Sequence, residues 1–169
     1  NPTDVAYYSI AYHVLYVFFG AFYLWLSTAM PIMSHRINVD INAAERFISK
    51  FTKISLMIFI PAIICVCIAA DQIVGIIFGP AYLPAAFPLR ILIWNLVIIV
   101  IGSIYGALIL IPAGKFKEYF RSAMVGAIVN IPMNLILIPV YGVKGAAIAT
   151  LLSEGAALVI AYNYKRNII

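Results

Sequence analysis

The sequence predicts an all-α, polytopic transmembrane helix bundle of five spans, and three observations carry that prediction. Hydrophobic residues make up 65% of the 169 positions and charged residues only 10%, with a mean hydropathy of +1.07. A water-soluble domain is about half apolar and about a quarter charged, so this chain has too little polar surface to cover one core. Its apolar residues fall in five runs long enough to cross a hydrocarbon layer of about 30 Å, which takes roughly 20 residues as helix. Its basic residues gather in alternate connections between those runs.

The first span is expected over about 5–33, with Asp4 as its N-cap and its end near Pro31. There is no Met at position 1, and Asn1-Pro2-Thr3-Asp4 reads as an inter-helix loop, so the chain is expected to be a piece of a longer protein. The polar stretch Ser34–Lys50 predicts a short amphipathic helix on the membrane surface. The second span, about 51–70, contains Pro61, which removes a backbone donor and frees the carbonyl of Met57. Cys65 and Cys67 lie in that apolar run with no clustered His or further thiol, so neither a disulfide nor a metal site is expected. The segment 71–88 is apolar but interrupted by Gly75, Gly79, Pro80, Pro84 and Pro88. It predicts short helical turns lying at a membrane face, with Tyr82 and Phe87 at headgroup level. The third span is expected over about 89–111, where Gly102-Ser-Ile-Tyr-Gly106 suits close helix packing. The fourth, about 120–139, and the fifth, about 143–164, are separated by Pro139-Val140-Tyr141-Gly142, a turn by composition that predicts an antiparallel hairpin.

Nine of the 11 basic residues sit in one set of connections: Arg36, Arg46, Lys50 and Lys53, then Lys115, Lys117 and Arg121, then Lys165 and Arg166. Only Arg90 and Lys144 fall on the other side. The positive-inside rule makes the first set cytoplasmic, so the chain is expected to start outside a cytoplasmic membrane and to end inside. An odd number of spans requires the same. The net charge of +5 therefore reads as topology, and no basic folded module for nucleic acid is visible.

Polar side chains inside a span each need a reason. Glu154 falls near the middle of the fifth span and is the only acidic residue deep in any of them. It reads either as a carboxylate facing an aqueous cavity and responding to H+ or Na+, or as a hydrogen-bonded group tying helices together. Asn130 and Asn134 share a face of the fourth span with Gly126, and Pro132 between them frees the carbonyl of Ile128. Amides beside a broken backbone at that depth suit a transport site, or they simply re-satisfy the backbone. In the first span Tyr8, Tyr12 and Tyr16 follow at four-residue steps, with His13 a little round from them. Rings with hydroxyls suit sugars; the alternative is an interfacial tyrosine belt, which fits Tyr16 poorly, and helix packing for His13. Asn95 marks the polar side of the third span. No metal spacing, nucleophile elbow or phosphate-cradling loop is present, so no enzyme activity and no cofactor beyond a coupling ion is expected.

Four stretches together resemble one family. LILIPVYGVKGAAIATLLSE, residues 135–154, looks like a signature of polysaccharide flippases of the Wzx type, related to MATE multidrug exporters and to the lipid II flippase. VAYYSIAYHV resembles the family's G-Y-Y-S-x-A, with Val5-Ala6 where the family has Gly. IIFGPAYLPAAFPLRIL and Asn130-Ile-Pro-Met-Asn134 resemble two further family segments in order and spacing. The resemblance implies a two-lobe transporter with a central cavity, of which this chain forms part of the C-terminal lobe and needs the missing N-terminal lobe as partner. It implies movement of a polyprenyl-pyrophosphate-linked oligosaccharide across the membrane by alternating access. Tyr12, Tyr16, Asn95, Asn130 and Asn134 would then line the substrate cavity, and Glu154 would couple an ion. No Lys or Arg lies deep in the spans to neutralise a lipid pyrophosphate. A cation-coupled drug or metabolite exporter of the same superfamily and a non-transporting scaffold for glycan assembly are the alternative functions.

Overall fold

Small and branched apolar residues at helical spacing give the first helix one buried stripe: Ala11, Leu15, Phe22, Leu26, Ala29 and Met33. The computed structural model describes residues 2–168, and this helix, α1, is Pro2–Val39. The side chain of Asp4, expected to cap it, lies outside the described residues. The helix continues through Pro31, where the sequence suggests an end. At 1.5 Å per residue it is about 57 Å long, nearly twice the hydrocarbon thickness, so its last turns, with Arg36, project beyond the apolar layer.

One residue, Asp40, separates α1 from α2 (Ile41–Ile68), and its carboxylate caps α2 by accepting from the Ala43 N–H at 3.0 Å. The separate amphipathic helix expected in 34–50 is therefore not formed. Those residues extend the two spans instead, because Ala43, Ala44, Glu45 and Arg46 favour helix and adding residues to an existing helix is far easier than nucleating another. Ala44 and Ile48 anchor the extension in the core.

The interrupted segment folds as α3 (Ala70–Ile77) followed by a 3-10 turn, Pro80–Ala85. The third span is broken. Helix α4 (Ala86–Leu92) and helix α5 (Asn95–Tyr105) meet at Ile93–Trp94, where backbone bonds tighten to three-residue steps (Leu96 N–H to Ile93 C=O, 3.1 Å). The helical pieces on either side of that break are bent by 43°. A π-helical stretch, Gly106–Leu110, ends the span, and the Ile111 N–H reaches the Gly106 carbonyl at 2.9 Å.

Helices α6 (Phe116–Tyr141) and α7 (Val143–Lys165) form the expected antiparallel hairpin, turned by Gly142 alone at φ +56°. That left-handed φ strains any residue with a Cβ. Three residues on, a Cβ at Gly145 would collide with the Leu137 carbonyl, so the hairpin closes through backbone contact. Four helices are long and apolar enough to cross a membrane, and five if the bent pair is one span. The protein is a multi-pass, all-α membrane bundle, with no strand among the described residues.

Helices α1, α2, α4 and α5 share the core, where Phe22, Ile63, Leu89, Leu92, Leu96 and Ile104 are fully buried. One end of the bundle holds the Gly142 turn and the α3–α4 segment. There Arg90 pairs with Asp71 at 2.6 Å and donates to the Cys67 carbonyl at 3.1 Å. Both partners of the ion pair are substantially exposed, so it contributes at most about 1 kcal/mol and serves mainly to hold α4 against the ends of α2 and α3. Lys144 lies 4.2 Å over the Phe87 ring. Both cations of that end are thus engaged, whereas the opposite, basic end carries the rest.

Candidate functional site: a polar cavity between α1, α6 and α7

Helix α7 packs on both α1 and α6, while α1 and α6 diverge. The gap is a cavity of about 1060 Å³, walled by α1 and α6 and floored by α7. Each wall contributes one helical face. Tyr8, Tyr12 and Tyr16, at four-residue steps, form a ladder of tilted rings with centroids 5.4 and 4.9 Å apart. Opposite them Gly126, Asn130 and Asn134 line α6, and Thr150, Ser153 and Glu154 rise from α7.

The polar groups are joined. Asn134 Nδ2 donates to Asn130 Oδ1 at 2.8 Å and to the Asn130 carbonyl at 3.0 Å. Asn130 Nδ2 donates to Ser153 Oγ at 3.0 Å, and Ser153 Oγ donates to the Thr150 carbonyl at 2.9 Å. The Thr150 and Tyr8 hydroxyls are 3.0 Å apart, which ties α1 to α7. On the α1 wall His13 Nδ1 sits 2.7 Å from the Ser9 carbonyl, a local bond that holds its ring. Gly126 permits the close α6–α7 approach, since a Cβ there would meet Ala157 at 3.1 Å.

Glu154 is exposed in this cavity. The one ion pair among the described residues is Arg90–Asp71, so the Glu154 carboxylate has no cationic partner. A narrower groove of about 310 Å³ continues from the cavity past Tyr12, Tyr16 and Glu154, and is walled by Leu15, Phe19, Ile98 and Leu158. Glu154 therefore stands where the two openings meet.

Five of the six residues singled out by sequence (Tyr12, Tyr16, Asn130, Asn134 and Glu154) meet on this surface. Asn95 does not. It opens α5 at the break in the third span, is fully buried in the core, and its amide makes no hydrogen bond among the described residues. Asn95 therefore does not line this cavity and sits in the core instead. Thr150 is a further residue of this surface, and its three- and four-residue spacing to Ser153 and Glu154 is the signal that places all three on one helical face.

A family model described as "Polysaccharide biosynthesis protein" matches residues 1–87. The chain belongs to this polysaccharide biosynthesis protein family. It is 30% identical over 129 residues to the probable low-salt glycan biosynthesis flippase Agl15 of Haloferax volcanii, covering 74% of this chain and 26% of that protein. It is 27% identical over 138 residues to the probable flippase AglR of the same organism, covering 80% of this chain and 29% of that protein. An uncharacterized membrane protein of Methanocaldococcus jannaschii is 34% identical over 103 residues, covering 61% of this chain and 20% of the other. The chain thus spans about a quarter of the length of the curated relatives it matches. No solved structure matches it. The polysaccharide biosynthesis match contains the tyrosine wall of the cavity, and the α6–α7 wall lies beyond residue 87.

Proposed function

We propose that this chain forms one side of the cavity of a flippase that carries a polyprenyl-pyrophosphate-linked oligosaccharide across the cytoplasmic membrane by alternating access, as a transporter and not an enzyme. The observation that carries this reading is the cavity wall itself: a ladder of tilted tyrosine rings faces hydroxyls and amides inside membrane-spanning helices. Neutral hydrogen-bonding groups beside aromatic faces match a sugar, which offers hydroxyls at its edge and C–H groups on its face. The flippase names of two relatives point the same way. The other side of the cavity would come from the N-terminal lobe of the same protein.

In this reading the basic end of the bundle is cytoplasmic, with the start of the chain outside and its end inside. Tyr12 and Tyr16 stack on sugar rings, Asn130 and Asn134 bond their hydroxyls, and Glu154 couples an H+ or Na+ gradient to reorientation. The test is reconstitution of the full-length protein with a fluorescent lipid-linked oligosaccharide. Tyr12→Ala with Tyr16→Ala is expected to slow flipping at least tenfold, and unchanged flipping would sink the assignment. Glu154→Gln is expected to leave basal flipping but abolish its acceleration by an imposed H+ or Na+ gradient. A variant that still responds to the gradient removes the coupling role.

A further inference from the structure

At the basic end, α1 and α2 splay to leave a groove of about 740 Å³ on the far side of α1 from the glycan cavity. Its α1 wall is Trp25, Thr28, Ala29, Ile32 and Arg36, and its α2 wall includes Arg46, Phe47, Lys50 and Phe51. At 100° per residue these α1 positions point on average about 140° away from Tyr8, Tyr12 and Tyr16. The two openings therefore flank the buried stripe of α1 and do not share an occupant.

The groove is polarised along its length. Arg36 lies 5.1 Å over the Phe47 ring at the mouth, and Arg46 and Lys50 share one face of α2 at a four-residue spacing. The inner end is apolar and rigid: Trp25 stacks on Phe51 at 5.2 Å and donates from Nε1 to Ser55 Oγ at 3.1 Å. From Arg36 to Trp25 is 11 residues of helix, about 16 Å. The three cations have no acidic partner among the described residues. The Asp40 carboxylate is occupied at the α2 cap, and Glu45 does not line the groove. Three unpaired cations above an apolar slot of that length match an amphiphile with an anionic head. Basic pockets between membrane helices take such headgroups, and guanidinium groups bind phosphate oxygens in pairs.

We propose that this groove is a binding site for an anionic phospholipid of the bilayer, its phosphate held by Arg36, Arg46 and Lys50 and an acyl chain lying along Ile32 and Ala29 to Trp25. A bilayer lipid is favoured over the transported carrier because the groove is separated from the glycan cavity by the body of α1. The site does not depend on the glycan reading, since binding is measured directly.

The experiment titrates the native full-length protein, in a neutral detergent, with dioctanoyl phosphatidic acid, read by isothermal calorimetry. Saturable binding is expected, at least tenfold tighter than for dioctanoyl phosphatidylcholine. Arg46→Gln with Lys50→Gln is expected to weaken it at least tenfold. Ile32→Trp, which fills the slot without touching charge, is expected to do the same and serves if the first variant does not fold. Unchanged binding in either folded variant overturns the proposal. Competition by inorganic phosphate at the concentration of the lipid overturns it in favour of a free-anion site. Displacement of phosphatidic acid by equimolar polyprenyl phosphate, with preference for the latter, overturns the assignment to a bilayer lipid.

Discussion

The helices α1–α5 and the α6–α7 hairpin are built on opposite plans. In the first group large side chains interlock: Leu15, Phe22, Ile63, Leu89, Leu92 and Leu96 are buried, and Phe22 meets Phe59 edge-on at 5.5 Å. In α6 only Ser122 is buried. Ile128, Ile131 and Leu135 are exposed on one side, and Asn130 and Asn134 face the cavity on the other. The hairpin therefore acts as a wall between two media. It is held by glycine-mediated backbone contact and a ladder of hydrogen bonds, whereas α1–α5 are held by apolar packing. A membrane bundle lacks a hydrophobic drive to press helices together, so close approach and interhelical hydrogen bonds take that role in the wall.

The largest expected effect breaks that wall at its hinge. Gly145→Val places a Cβ against the Leu137 backbone, which cannot swing away as a side chain would. Forcing bulk into such a contact costs about 1–3 kcal/mol or more. The expected outcome is loss of monodisperse protein on size-exclusion chromatography, with flipping lost as a consequence. A stable, well-folded Gly145→Val protein would show that the hairpin does not close through that contact.

An intermediate effect separates the wall's chemistry from its fold. Asn130→Leu removes the acceptor of Asn134 and the donor to Ser153 together. Interhelical hydrogen bonds in membranes contribute about 0.6–2 kcal/mol each, so the thermal midpoint should fall by only a few degrees. The proposed flipping of a lipid-linked oligosaccharide should fall at least tenfold. A midpoint loss with full flipping would make Asn130 a structural residue and not a substrate contact.

These two plans were unequally legible in the sequence. The spans and the hairpin follow from apolar run length and from Gly142, because both are local properties. The tyrosine ladder and the Asn130–Asn134 face follow from four-residue spacing on a single helix. What spacing on one helix does not tell is which way that helix turns in the bundle. The extension of α1 and α2 through Ser34–Lys50 depends on Ala44 and Ile48 finding the core, and the break at Ile93–Trp94 has neither a Pro nor a Gly to announce it. The contact of Thr150 with Tyr8, 3.0 Å away from the other end of the chain, is likewise invisible to spacing on α7 alone.

Asn95 gives the smallest expected effect and sharpens the comparison most. It is as polar as Asn130 and as deep in a span, yet it sits among the packed side chains of α1–α5 with both ends of its amide unbonded. A buried polar group left without a partner costs about 1–3 kcal/mol, and an apolar replacement of similar shape recovers it. Leucine has the same branched outline with methyl groups in place of the amide. Asn95→Leu is therefore expected to keep flipping at the wild-type rate and to raise the thermal midpoint in detergent by a few degrees. A sharp loss of flipping with an unchanged midpoint would return Asn95 to the transport path, and would mean that the third span swings toward the cavity during the cycle. With the expected result, polarity within a span marks a site only where the helix presents it to a wall, and the same residue type in the core is a local cost to stability.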